Sequence, residues 1–209
     1  MTPSLTTSRL LLRPYYAGMV TDDHVKWLND PEVVRYSEQR HKRHTLESCH
    51  AYVNEIATNP DSHIWSVEAK VGAVVEAKAG TVIVGDGTAK TTEYYASIGT
   101  ITAHVDRPNG VANVGILIGE KSFWGKGYGQ ESWLIVCNWL FDTQEVRKIE
   151  MGCHYENRAM RELALTCGMH LEAVRHDHFV VDGNPQHLLL YAKMKPSRVK
   201  VSVNESSAA

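Results

Sequence analysis

The stretch FWGKGYGQESWLIVCNWLF sets Gly125, Gly127 and Gly129 at alternate positions, then runs from Ser132 to Phe141 without a helix breaker. That pattern predicts a buried helix entered through a tight glycine turn. Just upstream, Ser97–Val105 and Val111–Ile118 flank Asp106-Arg107-Pro108-Asn109-Gly110, a turn sequence containing Asn-Gly. Two long strands of a hairpin are expected there. A strand, a glycine-rich turn and a helix therefore follow one another, which admits few folds.

The rest of the chain reads as alternating elements. A first strand is expected at Arg9–Arg13, ending at Pro14. Thr21 caps a short helix, Asp22 to Leu28, with acids in its first turn, and Asn29-Asp30-Pro31 ends it. A second helix opens at Thr45, with Cys49, Tyr52, Val53, Ile56 and Ala57 on one face, and Asn59-Pro60 closes it. His63–Ala69 reads as a strand. Val71–Tyr95 reads as a β-hairpin excursion with its turn at Gly85-Asp86-Gly87. Lys148–His154 is a further strand. Asn157 caps a helix that carries Met160, Leu163, Ala164 and Cys167 on one face and stops at Gly168. Val174–Val181 and Leu188–Met194 form a last hairpin, and Ser197–Ala209 a polar, disordered tail. The expectation is one α/β domain over residues 1–196, a mixed, mostly antiparallel sheet with helices on both faces.

Composition excludes several classes. In 209 residues the formal net charge is −2, which disfavours a generally basic nucleic-acid or membrane binder. No run approaches the roughly 18 apolar residues of a membrane span. The opening MTPSLTTSRLLLRPYY is not read as a signal peptide. Cys49, Cys137, Cys153 and Cys167 are scattered without a CxxC pair and read as free thiols in a reducing, cytoplasmic compartment. Eleven histidines raise the question of metal. His176 and His178 form an HxH on a strand, so both should face one side. Zinc needs about four ligands and the sequence places no third, so no metal is expected.

Gly-Lys-Gly-Tyr-Gly-Gln between strand and helix can point several backbone N–H groups into one concavity at the positive end of a helix dipole. Such a place suits a phosphate or pyrophosphate, with Lys126 adding charge. The alternative is simply a tight connection. There is no GxxxxGK[ST], and GxGxG lacks the GxGxxG spacing of dinucleotide folds.

VGILIGEKSFWGKGYG, followed by a strand, then Asn157 and a helix closing at Gly168-Met169, resembles the GNAT superfamily of N-acyltransferases. Its motif Q/R-x-x-G-x-G/A is met by Trp124-Gly125-Lys126-Gly127-Tyr128-Gly129, with Trp124 in the Gln/Arg place. That replacement is usual in the branch of ribosomal-protein and small-molecule acetyltransferases. WLNDP at Trp27–Pro31 is similar to the same branch, whereas Met169 stands where its Phe would be. The resemblance runs from about Ser8 to Met194. It implies a splayed central strand pair. It also implies that the amides of Gly125, Lys126, Gly127, Tyr128, Gly129 and Gln130 hold the pyrophosphate of acetyl-CoA. Ile116, Leu117 and Ile118 would pair with the pantetheine arm, which Asn157 would also contact.

The implied reaction is direct attack of an amine on the thioester in a ternary complex. For an amine with pKa near 10, the neutral form costs roughly 4 kcal/mol at pH 7, so a base is wanted. Many members put a carboxylate where this chain has Asn113, and some put a Tyr acid where it has Ala164. Glu120, just past the strand, is the expected base, or else a solvated carboxylate. His154, Tyr155 and Glu156 would line the acceptor site, or else form a polar strand end. The basic run containing Arg40 and Arg43 would meet a phosphate on the acceptor, such as the diphosphate of a nucleotide-linked amino sugar, or else is a solvated loop. Trp133 and Trp139 read as core.

The acceptor expected is a small primary amine such as an amino sugar. A protein N-terminus is the alternative. Two other classes are a non-catalytic acyl-CoA-binding module, motivated by Asn113 and Ala164, and a nucleic-acid-directed acyltransferase, motivated only by the basic run. A homodimer is left open.

Overall fold

Alternation and turn chemistry agree over most of the chain, and strands form there. They are β1 (Leu5–Thr6), β2 (Leu10–Pro14), β3 (Ser62–Glu76), β4 (Lys90–Asp106), β5 (Val111–Ile118), β6 (Lys148–His154), β7 (His170–Val181) and β8 (Asn184–Met194). The computed structural model describes residues 1–76 and 90–196. The strands make one sheet in the order β1-β2-β3-β4-β5-β6-β8-β7. Every pair is antiparallel except β5 with β6. This is the mixed, mostly antiparallel sheet expected.

The parallel pair is brief. Val111, Ala112 and Asn113 face Lys148, Ile149 and Glu150, and the pairing ends there. β5 stays bonded to β4 as far as Ile118, and β6 to β8 as far as His154. Between Val114–Ile118 and Met151–His154 the sheet is therefore open, a gap with backbone along both walls.

Helices close both faces: α1 (Asp22–Asn29), α2 (Leu46–Thr58), α3 (Tyr128–Thr143) and α4 (Arg158–Thr166). α2 starts where Thr45 and Ser48 exchange side-chain caps, each hydroxyl accepting the other's backbone N–H at 3.1 and 2.9 Å. α3 and α4 cover one face. There Trp133, Val136 and Leu140 pack with Leu10, Trp65, Ile101, Ile149 and Met151. α2 covers the other, with Cys49, Val53 and Ile56 against Tyr15 and Ile64. Adjacent Ile64 and Trp65 thus serve opposite faces, as a pleated strand requires. The four cysteines are free and buried.

Some expectations need adjustment. β7 begins at His170 rather than Val174, because His170 and Leu171 already pair with Ala192 and Tyr191. β3 and β4 extend the ladder outward, Lys70–Glu76 against Lys90–Tyr95. The proposed turn at Gly85–Gly87 and the tail Ser197–Ala209 lie outside the described residues. His176 and His178 do not share a setting. The β7–β8 register shifts between Arg175 and Phe179, and Asp177 takes a left-handed φ of 49°. The irregularity breaks the alternation. His176 packs on His187, and His178 on Phe179.

Candidate active site

The glycine turn lies beside the open gap. Gly125 and Gly127 take φ of 69° and 82°, the left-handed region where a side chain is strained. Gly127 is the N-cap of α3 and offers no side chain to cap it. Among the described residues, the backbone N–H groups from Gly125 through Gln130 have no protein acceptor. Donors massed at a helix N-terminus suit an anion of several oxygens.

Side chains brace this loop from three directions. The Trp124 indole donates to the Ile118 carbonyl at 2.7 Å and folds the turn back onto β5. The Tyr128 ring packs edge-on against Phe123, with centroids 5.2 Å apart. Arg9, from the start of the chain, lies 4.5 Å over the Tyr128 ring and donates to the Lys126 carbonyl at 3.1 Å. Its Nε donates to Glu131 at 2.7 Å, and the Thr7 hydroxyl donates to the other Glu131 oxygen. Burial works against ionisation of Glu131, but hydrogen bonds from Thr7 and Arg9 hold its carboxyl below its usual range. A carboxylate in the first turn of α3 would repel a phosphate, and Arg9 offsets it.

The glycine turn meets β5 and α4 at Gly129. A Cβ on Gly129 would lie 3.6 Å from Leu163 of α4 and 3.7 Å from Ile118 of β5. Ile116, Leu117 and Ile118 form one wall of the gap. The Asn157 carboxamide oxygen accepts the Met160 N–H at 3.2 Å and caps α4. Gly119 ends the wall, and a Cβ there would fall 2.2 Å from the Trp27 indole. That contact ties α1, and with it the WLNDP segment, to the tip of β5.

The two residues singled out for chemistry lie apart. Asn113 sits at the closed end of the gap, opposite His104 and Glu150. With Ser62 they line a cavity of about 450 Å³. Glu120 is seven residues further along, roughly 20 Å at ordinary strand rise. Its carboxylate accepts the Ser122 N–H at 3.2 Å and caps a short 3-10 turn. Glu150, beside Asn113, is a carboxylate that sequence reasoning passed over. Lys148 engages it at 2.7 Å, together with Glu172 at 2.6 Å. Ala164 is wholly buried in the core. Trp133 is fully buried, and Trp139 is half-buried against His63 and Trp65.

On the α1 side, the basic run borders a cavity of about 480 Å³. Arg35, Arg40, Lys42 and Arg43 line it, against one carboxylate, Asp182. Arg35 reaches Asp182 at 3.5 Å, and Arg40 holds Glu38 at 2.7 Å. Lys42 and Arg43 form no ion pair among the described residues. Arg40 also donates to the Val180 carbonyl at 3.2 Å, tying the run to β7. His154, at the end of β6, is buried next to Glu38 and stacked on Phe179. Tyr155 points elsewhere, half-exposed against His187 and Arg161.

Residues 9–170 match the acetyltransferase (GNAT) domain family. The chain belongs to the GNAT acetyltransferases. No curated protein sequence matches it. Solved structures share the GNAT fold at low identity. RimL, a ribosomal L7/L12 alpha-N-protein acetyltransferase in complex with coenzyme A, superposes with a TM-score of 0.71 at 14% identity, covering 92% of this chain and 98% of its own. A spermidine N-acetyltransferase from Vibrio cholerae, with CoA and spermine, gives 0.67 at 17%, covering 90% and 97%. The microcin C7 self-immunity acetyltransferase MccE, with acetyl-CoA and AMP, gives 0.66 at 16%, covering 90% and 93%. Among the described residues of this GNAT chain, no helix is long and apolar enough to cross a membrane, and no cluster of three metal-ligating side chains occurs.

Proposed function

We infer that this GNAT enzyme moves an acetyl group from acetyl-CoA to a small primary amine that also carries negative charge, an amino sugar phosphate or a nucleotide-linked amino sugar. The donor would lie with its pyrophosphate on the N–H groups of Gly125–Gln130 and its pantetheine arm along Ile116–Ile118. Coenzyme complexes of the RimL, spermidine and MccE enzymes support that placement.

The acceptor class rests on the cavity of four cations. A polyamine there would meet like charge at close range, whereas a phosphate would find Lys42 and Arg43 without partners. Arg40 is tied to β7 through the Val180 carbonyl, so its charge is positioned before a ligand arrives. MccE, crystallised with AMP, is a GNAT neighbour whose ligand carries a phosphate.

A direct screen tests the reading. Wild-type protein with acetyl-CoA would be offered glucosamine 6-phosphate, a uridine-diphosphate amino sugar, spermidine and a serine-initiated peptide. Released thiol is followed and products are identified by mass. Phosphate-bearing amines should turn over fastest. Preference for spermidine or the peptide would refute the acceptor class, and no turnover with any amine would refute enzymatic acetyl transfer to these classes.

A further inference from the structure

The gap in the sheet has a titratable group at the end of its β6 wall. Ile149, Met151 and Cys153 point into the core, so Lys148, Glu150, Gly152 and His154 share the opposite face. His154 is the last of these, where β6 has no partner on the β5 side. Its side chain is only 3% exposed. Phe179 stacks on the ring at 4.0 Å and nearly parallel, and Tyr36 lies across it at 5.9 Å.

The two ring nitrogens are in different situations. Nε2 is 3.7 Å from a Glu38 carboxylate oxygen, an oxygen that also accepts from Arg40 at 2.7 Å. Nδ1 is buried without any hydrogen-bond partner. A carboxylate near Nε2 favours the tautomer with its proton there, which leaves a lone pair on Nδ1. A buried lone pair without a donor is costly unless something supplies one. The charged and titratable groups around the ring are Glu38 and Arg40 from the turn, Tyr36 before it, and His178 from β7. Burial and then Arg40 push the imidazole below its usual range, against Glu38, which pulls it up. The neutral ring, with its lone pair free, is therefore the favoured form.

We propose that His154 accepts the proton of the acceptor amine at Nδ1, with Glu38 keeping the opposite nitrogen protonated. The step rests on the acetyl-transfer reading. The amine nitrogen bonds to the acyl carbon, its N–H bond breaks toward Nδ1, and the C–S bond breaks to release thiolate. The imidazolium then gives its proton to the thiolate or to water. The thiolate is only modestly basic, with a reference pKa near 8.5, so its departure needs little help. Glu120, the other candidate, already has its carboxylate on the Ser122 N–H.

Two measurements test this. Long-range proton–nitrogen spectra of histidine-labelled protein, with His154 assigned by its loss in His154→Asn, report tautomer and titration without any acceptor. The expected result is an Nε2–H tautomer whose titration moves to lower pH in Glu38→Gln and to higher pH in Arg40→Gln. An Nδ1–H tautomer, or a titration unmoved by both substitutions, overturns the proposal. In steady state, with the amine turned over fastest in the screen, His154→Asn and His154→Gln should lower kcat roughly 100-fold, with KM for acetyl-CoA unchanged. The ascending limb of kcat/KM should shift in Glu38→Gln by the same amount as in the spectra. Variants within twofold of wild type, with Glu120→Gln carrying the loss instead, also overturn it. Wild-type turnover separates these outcomes from failure of the acetyl-transfer reading.

Discussion

The glycine-loop corner and the Arg40 cavity are built from different material. The first presents backbone: N–H groups from Gly125 to Gln130, held in shape by left-handed glycines and by a packed core beneath α3. The second presents side-chain charge from Arg35, Arg40, Lys42 and Arg43, carried on irregular chain between α1 and α2. Backbone recognition tolerates sequence change and suits a ligand common to many relatives. Charged side chains can be exchanged one at a time and suit the partner that differs between them. A fold can thereby keep one substrate and vary the other.

The sharpest way to break this contrast is Gly127→Val. It puts a branched side chain at φ 82°, and coenzyme A affinity measured by calorimetry should fall about 100-fold or more, since left-handed strain and a displaced loop act together. Unchanged affinity would sink the backbone account. Acid should loosen both halves at once. His24, hydrogen-bonded to Tyr15 on the α1 side, and His63, against Trp139 of α3, are each pushed by burial down to about 4. Their folded values lie below the ordinary 6.5, so the unfolded chain takes up protons first. Stability is complete above about pH 6.5 and declines as pH falls toward 4, by up to roughly 3 kcal/mol for each histidine. Denaturant midpoints that stay level from pH 7 to 4.5 would contradict it. On the cavity side alone, Lys42→Glu with Arg43→Glu should raise KM for a phosphate-bearing amine about tenfold and leave KM for acetyl-CoA in place. Equal rises in both constants would argue for misfolding rather than lost recognition. Smallest is Lys126→Ala, about 1 kcal/mol in coenzyme affinity as an exposed charge; a loss matching that of Gly127→Val would mean the side chain, not the backbone, carries the anion.

The two regions were not equally legible in the sequence. β5 and β6 begin and end where the Asn-Gly turn and the β-branched runs place them, because those signals are local. The glycine loop is legible for the same reason, since alternate glycines before a breaker-free run have few other uses. Arg9 was invisible there. It reads as no more than the first residue of a strand, and its partner Glu131 is 122 positions away. Glu38 beside His154 is hidden likewise, because only the docking of the α1–α2 connection on β6 and β7 brings them together. The HxH on β7 misled because alternation presumes an unbroken ladder, and Asp177 breaks it.

The reach of Arg9 has a consequence for how the chain comes into being. During synthesis, Arg9 leaves the ribosome long before Glu131 exists, so the clamp on the glycine loop cannot close until most of the polypeptide has been made. Closing so long a loop is entropically expensive and comes after local structure. α3 can therefore form while the anion cradle at its head is still unset. Hydrogen exchange pulsed during refolding should protect Val136 and Leu140 before Glu131, whose N–H bonds the Gly127 carbonyl at the head of α3; simultaneous protection would show that the cradle sets without its distant clamp.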